Sequence, residues 1–393
     1  MPYAEGRVIH DADAHIMEPP DYFAGFADPD VRDRLKPAVT VADLPESKGD
    51  GLDTFRRRHA DPEYRAADEA EIMLRKNFFA TGSFIKEDRP AALDMLGFAS
   101  QLLFNTFNNG TLQRLEHGDD LDLAYGLARA HNRAMVDFCS IDKRLLPVGY
   151  VPLADIDRAA AMAGEAIAMG CRALMVASAC PRNHSPSHIG LDPVWRQAEE
   201  AGTPIVFHVG GGGRLMDPMY FENGLPPVPD FHGGDANFKS VDYVAIQYPV
   251  MQTLGVLIID GVFMRFPTLK WGVIEQGAAW LPGLMRTLDS AADAFRKNED
   301  RLQQLDLKPS EYILRQLRVT PYPHEDTGWI VAQTGPGVCM FSSDYPHVEG
   351  GRHPLKRFER SLEGTDDHAR ECFYRANFED LMGRQLADLV AAS

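Results

Sequence analysis

Cysteine is scarce in this 393-residue chain. The five present (Cys139, Cys171, Cys180, Cys339 and Cys372) are scattered, odd in number and never spaced as CxxC. That excludes a disulfide framework and a zinc ribbon and fits a reducing compartment. Positive charge is also in short supply: 40 Lys and Arg against 57 Asp and Glu give a formal net charge of −17. A field of that sign repels duplexes and anionic membranes, so neither a nucleic-acid nor a membrane partner is expected. Long hydrophobic runs are missing. The greasiest stretch, Val244 to Phe263, is interrupted by Gln247, Pro249, Gln252 and Asp260. Polar groups are costly at bilayer depth, so it reads as a buried helix. The opening MPYAEGRVIHDADAH has no basic segment followed by an apolar one. No secretory signal is expected, and the expected location is cytoplasmic. Internal repeats, low-complexity tracts, Gly-x-Gly-x-x-Gly and Walker patterns are likewise not seen, which removes the usual nucleotide-binding loops.

What is present is a regular alternation. With 45% hydrophobic residues the chain can bury a large core. Short apolar runs at Arg7–Asp11, Gln101–Phe104, Leu145–Val151, Cys171–Ala177, Pro204–Val209, Lys270–Ile274, Leu317–Thr320 and Val338–Ser342 read as strands. Helical patterns lie between them, as at Ile156–Met169, Pro193–Ala201 and Ala279–Asn298. Strands alternating with helices imply parallel βαβ units, and eight of them imply one closed α/β domain over 1–393, a single (β/α)₈ TIM barrel. Two segments break the rhythm: 17–89, charged and poorly periodic, and 210–238, rich in Gly and Pro. Both follow strands, so they are expected at the C-terminal face as a lid insertion and an active-site loop. A last helical stretch, His368–Leu381, is expected on the barrel exterior.

The ionisable residues cluster at strand ends. Asp13 and His15 lie two apart on the first strand and so face one side. His208 ends the fifth strand, Glu275 the sixth. The seventh runs into His324, Glu325 and Asp326, the eighth into Asp344 and His347. Strand ends in a barrel meet around one axis, and His with carboxylate at one mouth is what a divalent metal requires. Each element alone has a plainer reading. Asp344 could cap a helix, Glu275 could pair with a nearby Arg or Lys, and His324 to Asp326 could cap the helix near Thr327. Arg182 and Arg214 could clamp a substrate carboxylate, although solvated surface charge is the default. The run Arg56–Arg58 could meet phosphates but more commonly forms a salt-bridged face. His184 and His188 flank Pro186 and read as loop residues, and His131 reads as helix packing. The glycines 210–213 could bring backbone amides close to an anion.

Three segments together, Asp13-Ala-His15-Ile-Met-Glu18-Pro, Phe207-His208-Val-Gly-Gly-Gly and Phe341-Ser-Ser-Asp344-Tyr-Pro-His347, resemble the amidohydrolase-related branch of the amidohydrolase superfamily. That branch includes the aminocarboxymuconate-semialdehyde and γ-resorcylate decarboxylases. The resemblance runs nearly end to end. It implies a (β/α)₈ barrel, a divalent metal such as zinc or manganese and often a dimer. Its metal ligands fall on Asp13 (where many members have His), His15, His208 and Asp344. The chain departs from the pattern at strand six, where Glu275 stands in place of a proton-relaying histidine, and at strand seven, where His324 is added. A side branch of the superfamily contains a non-haem diiron monooxygenase of diterpenoid antibiotic biosynthesis. On that resemblance Asp13, His15, His208, Glu275, His324 and Asp344 could hold two irons.

The expected function is therefore metal-dependent hydrolysis or decarboxylation of a carboxylate-bearing organic substrate. Asp13, His15, His208 and Asp344 would hold the metal, Glu275 and His324 would act as further ligands or catalytic groups, and Arg182, Arg214 and His347 would bind substrate. One alternative is a diiron monooxygenase hydroxylating an apolar carboxylate or thioester. Another is an inactive barrel acting as a binding protein. Zinc, manganese or iron, one or two ions per chain, all suit this ligand chemistry.

Overall fold

The computed structural model describes residues 1–36, 51–211, 215–226 and 240–387. Seven parallel strands pair in chain order: β1 (His10–His15), β2 (Ser100–Phe104), β3 (Leu145–Tyr150), β4 (Ala173–Met175), β5 (Ile205–His208), β6 (Trp271–Ile274) and β7 (Leu317–Val319). Helices follow the strands: α1 (Asn109–Glu116) and α2 (Leu121–Cys139) after β2, α3 (Ile156–Met169) after β3, α4 (Asp192–Ala201) after β4 and α5 (Tyr248–Ile259) after β5. After β6 come α6 (Leu281–Phe295) and α7 (Pro309–Gln316), and after β7 comes α8 (Thr327–Thr334). Helix α9 (Pro354–Ser361) follows the eighth segment of the barrel.

That eighth segment is not the continuous strand expected at Val338–Ser342. It joins β7 and β1 through two isolated parallel bridges, Val319 with Cys339 and Ala14 with Tyr345. Around them Met340 N donates to Val319 O (2.8 Å), Ala12 N to Phe341 O (3.1 Å) and His15 N to Tyr345 O (2.7 Å). The ring of strands is thereby closed, and the fold is a (β/α)₈ barrel. The ladder is interrupted where Asp344 turns into the left-handed region at φ 53°, and β1 shifts its register against β2 between Asp11 and Ala14.

The first strand begins later than its apolar run suggests and ends on His15. Its inward residues Asp11, Asp13 and His15 are polar yet buried, so the hydrophobic pattern fades where the strand enters the site. Asp11 lies one layer below the mouth. It accepts from Gln101 Nε2 (2.9 Å), Ser343 N (2.8 Å) and Ser343 Oγ (2.6 Å), which ties β2 and the eighth segment to β1.

Between sheet and helices, Trp271 stacks on Phe207 and Phe263 and leans on Trp195, with ring centroids 6.0, 5.0 and 5.2 Å apart. The segment read as a buried helix from Val244 onward is only partly buried. Ser240–Ile259 is long and apolar enough, by length and composition, to cross a membrane, and 39% of its apolar window is buried. Val250, Leu254, Leu257 and Ile258 of α5 join the core, whereas Val244, Tyr248 and Val256 are exposed. The helix packs on α6 and α7 as part of the outer ring.

The C-terminal stretch is not one helix on the outer wall. It runs as Asp367–Glu371, a π-helical turn Cys372–Ala376, and Asn377–Met382. Its last part covers the N-terminal end of the barrel, where Phe378 stacks on His10 (5.2 Å) and Asp380 pairs with Lys270 (2.8 Å) and Arg318. The opposite, C-terminal end is left for chemistry.

Gly350 lets the chain after the eighth segment fold back on itself. A Cβ there would lie 2.2 Å from Ser343 O and 2.9 Å from Asp344 Cβ. Gly350→Ala is expected to destabilise the fold by about 1–3 kcal/mol, the usual cost of overpacking. A thermal melt checks this, and an unchanged melting temperature would show that the turn yields freely.

Candidate metal centre

The barrel gathers its strand-end residues as the alternation rule requires. His15 pairs with Phe104 in register, and His208 with Ile274. Asp13 and His15, two apart on β1, come within 3.2 Å of each other (Oδ1 to Nε2). His208 Nε2 lies 3.3 Å from Asp13 Oδ1 and 3.4 Å from Glu275 Oε2. His15 Nε2 is 3.6 Å from Asp344 Oδ1, and His347 Nδ1 is 3.0 Å from the same oxygen.

Glu275 arrives by a less obvious route. It follows Ile274, which shares the inward side with His208, so simple alternation would turn Glu275 outward. Its backbone instead adopts φ 52°, and Asp344 adopts φ 53°. Non-glycine residues rarely occupy this region, and strain of that kind persists where the surroundings over-determine it. For Glu275 the surroundings are Thr320 Oγ1, which accepts from its N–H (2.9 Å), and Tyr322 OH, which donates to its carbonyl (2.7 Å).

Hydrogen bonding fixes the imidazole tautomers. His15 Nδ1 lies 3.0 Å from Asn105 O, and His208 Nδ1 lies 3.0 Å from Val209 O. A carbonyl only accepts, so both Nδ1 atoms carry hydrogen and both Nε2 atoms present lone pairs. Those lone pairs face carboxylate oxygens, which is repulsive unless a cation sits between them. His347 repeats the pattern. Thr106 Oγ1 donates to Ile16 O (2.8 Å) and so accepts from His347 Nε2, 2.8 Å away. His347 Nδ1 then faces Asp344, and that contact needs a proton or a metal ion.

Burial sharpens the problem. Asp13, His15, His208, Glu275, Asp344 and His347 are all buried or nearly so. His15 Nε2, Asp13 Oδ2 and Asp344 Oδ2 have no hydrogen-bond partner among the described residues. Burial, then the charge of His347, pushes His15 down to about 3, so its imidazole is neutral at physiological pH. Burial raises Asp344, while Asp13 falls because contacts with His15 and His208 outweigh its burial. Several carboxylates and neutral imidazoles turned on one point, away from water, form a cation site in all but the ion. Two overlapping ligand groups meet the distances, Asp13–His15–His208–Glu275 and His15–Glu275–Asp344–His347, with ligand atoms within 4.8 Å of one another. A divalent ion fits these residues.

The family profile described as amidohydrolase matches residues 11–383. The chain belongs to the amidohydrolase family. Solved relatives share the fold along nearly the whole length of this amidohydrolase. An amidohydrolase of Mycobacterium avium subsp. paratuberculosis K-10 has a TM-score of 0.73 at 22% identity, with 97% of this chain and 100% of that one covered. The 5-carboxyvanillate decarboxylase of Novosphingobium aromaticivorans DSM 12444, complexed with manganese and 4-hydroxy-3-methoxy-5-nitrobenzoic acid, has a TM-score of 0.62 at 17% identity, with 96% of each chain covered. A dihydroxybenzoic acid decarboxylase of Polaromonas sp. JS666, with manganese and 2-nitroresorcinol, has a TM-score of 0.62 at 16% identity, covering 97% of this chain and 98% of that one. No curated protein sequence matches.

The remaining candidates fall elsewhere. His324 is exposed and outside both ligand groups. Its Nε2 meets Tyr243 OH (2.9 Å) and its ring stacks on Tyr322 (5.3 Å), because the chain after β7 turns outward through Pro321 and Pro323. Glu325 accepts backbone N–H groups of Tyr322 (2.7 Å), Ala278 (3.0 Å) and Ala279 (2.9 Å), and Asp326 caps α8 through Trp329 N. Arg182 is a surface partner of Asp119 (2.6 Å). Arg214 lies outside the described residues, as does most of 210–238. Arg56 pairs with Asp53, and Arg58 lies over the Phe79 ring.

Sequence reasoning passed over three residues. Lys76 comes from the insertion after β1, and its neighbour Asn77 N donates to Pro346 O (2.9 Å). The Lys76 ammonium is buried with no hydrogen-bond acceptor among the described residues, and it feels the charges of Asp344 and Glu349. Thr106 sets the His347 tautomer. Asn105 orients His15 and touches His131 Nε2 (3.2 Å) through its side chain. No local motif marks any of the three, since each matters only through a partner far away in sequence.

Asp344→Ala and His208→Ala are each expected to reduce bound metal to near zero per chain by elemental analysis. Full occupancy in both would sink the site. His131→Leu is expected to weaken metal affinity by about tenfold, the lower end for groups that orient a ligand histidine. Competition with a chelator measures it, and unchanged affinity would show that Asn105 holds its place unaided.

Proposed function

We propose that this amidohydrolase is a metal-dependent decarboxylase acting on a carboxylate-bearing organic molecule. The observation that carries the reading is the Lys76 ammonium, buried and unbonded among the described residues, beside a cluster of metal-ligand type. Decarboxylation requires an anionic substrate held next to a group that can steady charge and a proton for the carbon that loses carbon dioxide. Asp13, His15, His208, Glu275 and Asp344 would hold the ion. A bound manganese or zinc supplies Lewis acidity toward substrate oxygens.

The other steps belong to side chains. Lys76 would anchor a carboxylate or phenolate of the substrate, trading an unpaired buried cation for an ion pair. His347 would hold a proton at Nδ1, shared with Asp344 Oδ1 at 3.0 Å, while Nε2 stays bonded to Thr106. Delivering that proton to the carbon as the C–C bond breaks balances the reaction, since R–COO⁻ plus H⁺ gives R–H plus carbon dioxide. The manganese-bound decarboxylases of the same fold support this reading. The overlap of the two ligand groups favours, as a second reading, a two-ion centre in which a metal replaces the His347 proton. Two irons per chain would move the assignment to the diiron hydroxylation considered above.

The test is binding and turnover on manganese-loaded protein, with 5-carboxyvanillate and 2,6-dihydroxybenzoate as probes and carbon dioxide release as the readout. Binding that depends on manganese is expected, with Lys76→Met weakening it by about tenfold or more, as loss of a buried charge partner should. Burial pushes the Lys76 ammonium down to about 8. The ammonium is charged below that value, so probe affinity should fall as pH rises through about 8 and stay level in Lys76→Arg. Metal-independent binding, or no effect of either variant, would overturn the reading.

A further inference from the structure

Many arginines of this acidic protein are held by carboxylates. Arg75, Arg129, Arg144, Arg158, Arg301, Arg370 and Arg375 all meet carboxylates. The cations of helix α9 are not held in this way. Lys356, Arg357 and Arg360 are exposed and meet no carboxylate among the described residues. With His324, His353 and Ser361 they line an open cavity of about 620 Å³. The two acids on its wall, Glu325 and Asp326, already accept from backbone N–H groups that precede α6 and start α8. In a chain with net charge −17, three clustered cations with no ion-pair partner among the described residues leave positive charge facing this cavity.

The groove lies beside the reactive end of the barrel. His324 on its wall stacks on Tyr322 with planes 8° apart, and Tyr322 OH donates to the Glu275 carbonyl at 2.7 Å. One aromatic layer thus separates it from the metal group. Two guanidinium forks match phosphate oxygens in pairs, and a third cation adds a point charge. A single carboxylate would leave most of this charge unused, whereas a diphosphate carries the charge and the length to meet all three.

We propose that this groove binds a diphosphate-bearing small molecule, which is where the non-reacting end of an extended substrate would lie. The placement beside the substrate rests on the proposed function; the anion site itself does not.

The probe is adenosine diphosphate, titrated calorimetrically into protein carrying its bound metal with free metal removed. Binding with Kd below about 1 mM is expected, weakening as salt rises. The triple variant Lys356→Ala, Arg357→Ala, Arg360→Ala should lose at least tenfold in affinity while keeping its metal count and its binding of 2,6-dihydroxybenzoate. His208→Ala, which should lack the metal, should still bind adenosine diphosphate. Three results would each overturn the proposal: no binding to the wild type, no loss in the triple variant, or loss in His208→Ala alone, which would place the anion on the metal. Equal competition by an oligo-aspartate peptide would also overturn it, by making the surface a protein-docking face. Failure of the carboxylate probes with adenosine diphosphate binding intact would strike only the proposed function.

Discussion

Two imidazole lone pairs aimed at buried carboxylates set the terms for the rest of this molecule. His15 and His208 each spend their N–H on a backbone carbonyl, so their Nε2 atoms face Asp13, Glu275 and Asp344 with nothing to donate. Unpaired buried charge costs several kcal/mol per group. The protein keeps this arrangement because the barrel around it is rigid. Asp11 links β1, β2 and the eighth segment directly beneath the mouth, and the aromatic stack on Trp271 fixes β5 and β6 from behind.

The two left-handed residues belong to the same constraint. A barrel strand offers inward positions only at every second residue. Glu275 and Asp344 reach the centre by leaving the strand pattern, and each is held in that posture by neighbouring segments. Thr320 and Tyr322 hold the first, and the Asp13 carbonyl, which accepts from Asp344 N (2.9 Å), holds the second. The seventh connection therefore serves the site through its backbone supports rather than through His324. It also separates the metal group from the cationic groove on α9, so the two regions share a wall of aromatic rings.

Charge is distributed with similar economy. The chain is acidic overall, many of its arginines are paired in place, and cations without a carboxylate partner among the described residues stand at Lys76 and along α9. Both sit by the C-terminal end of the barrel. Focused positive charge in an otherwise negative field is a recognised means of drawing a small anion to one place while repelling large polyanions.

The sequence by itself determined the alternation of strands and helices, hence the barrel, and the identity of the residues that end β1, β5, β6 and the eighth segment. Periodicity and strand-end position are local properties, and a closed ring turns them into a common centre without further information. It also carried the family resemblance, on the Asp13–His15, His208 and Asp344–His347 motifs. The tertiary structure alone decided which strand-end groups converge. His324 follows a turn through two prolines and leaves, while His347, read as a substrate contact, stacks on His15 at 3.9 Å and faces Asp344. Lys76, Thr106 and Asn105 became visible only when segments tens to hundreds of residues apart were brought into contact. Hydrogen-bond partners, tautomers and unpaired buried charge are relations between distant residues, and no window of sequence contains them.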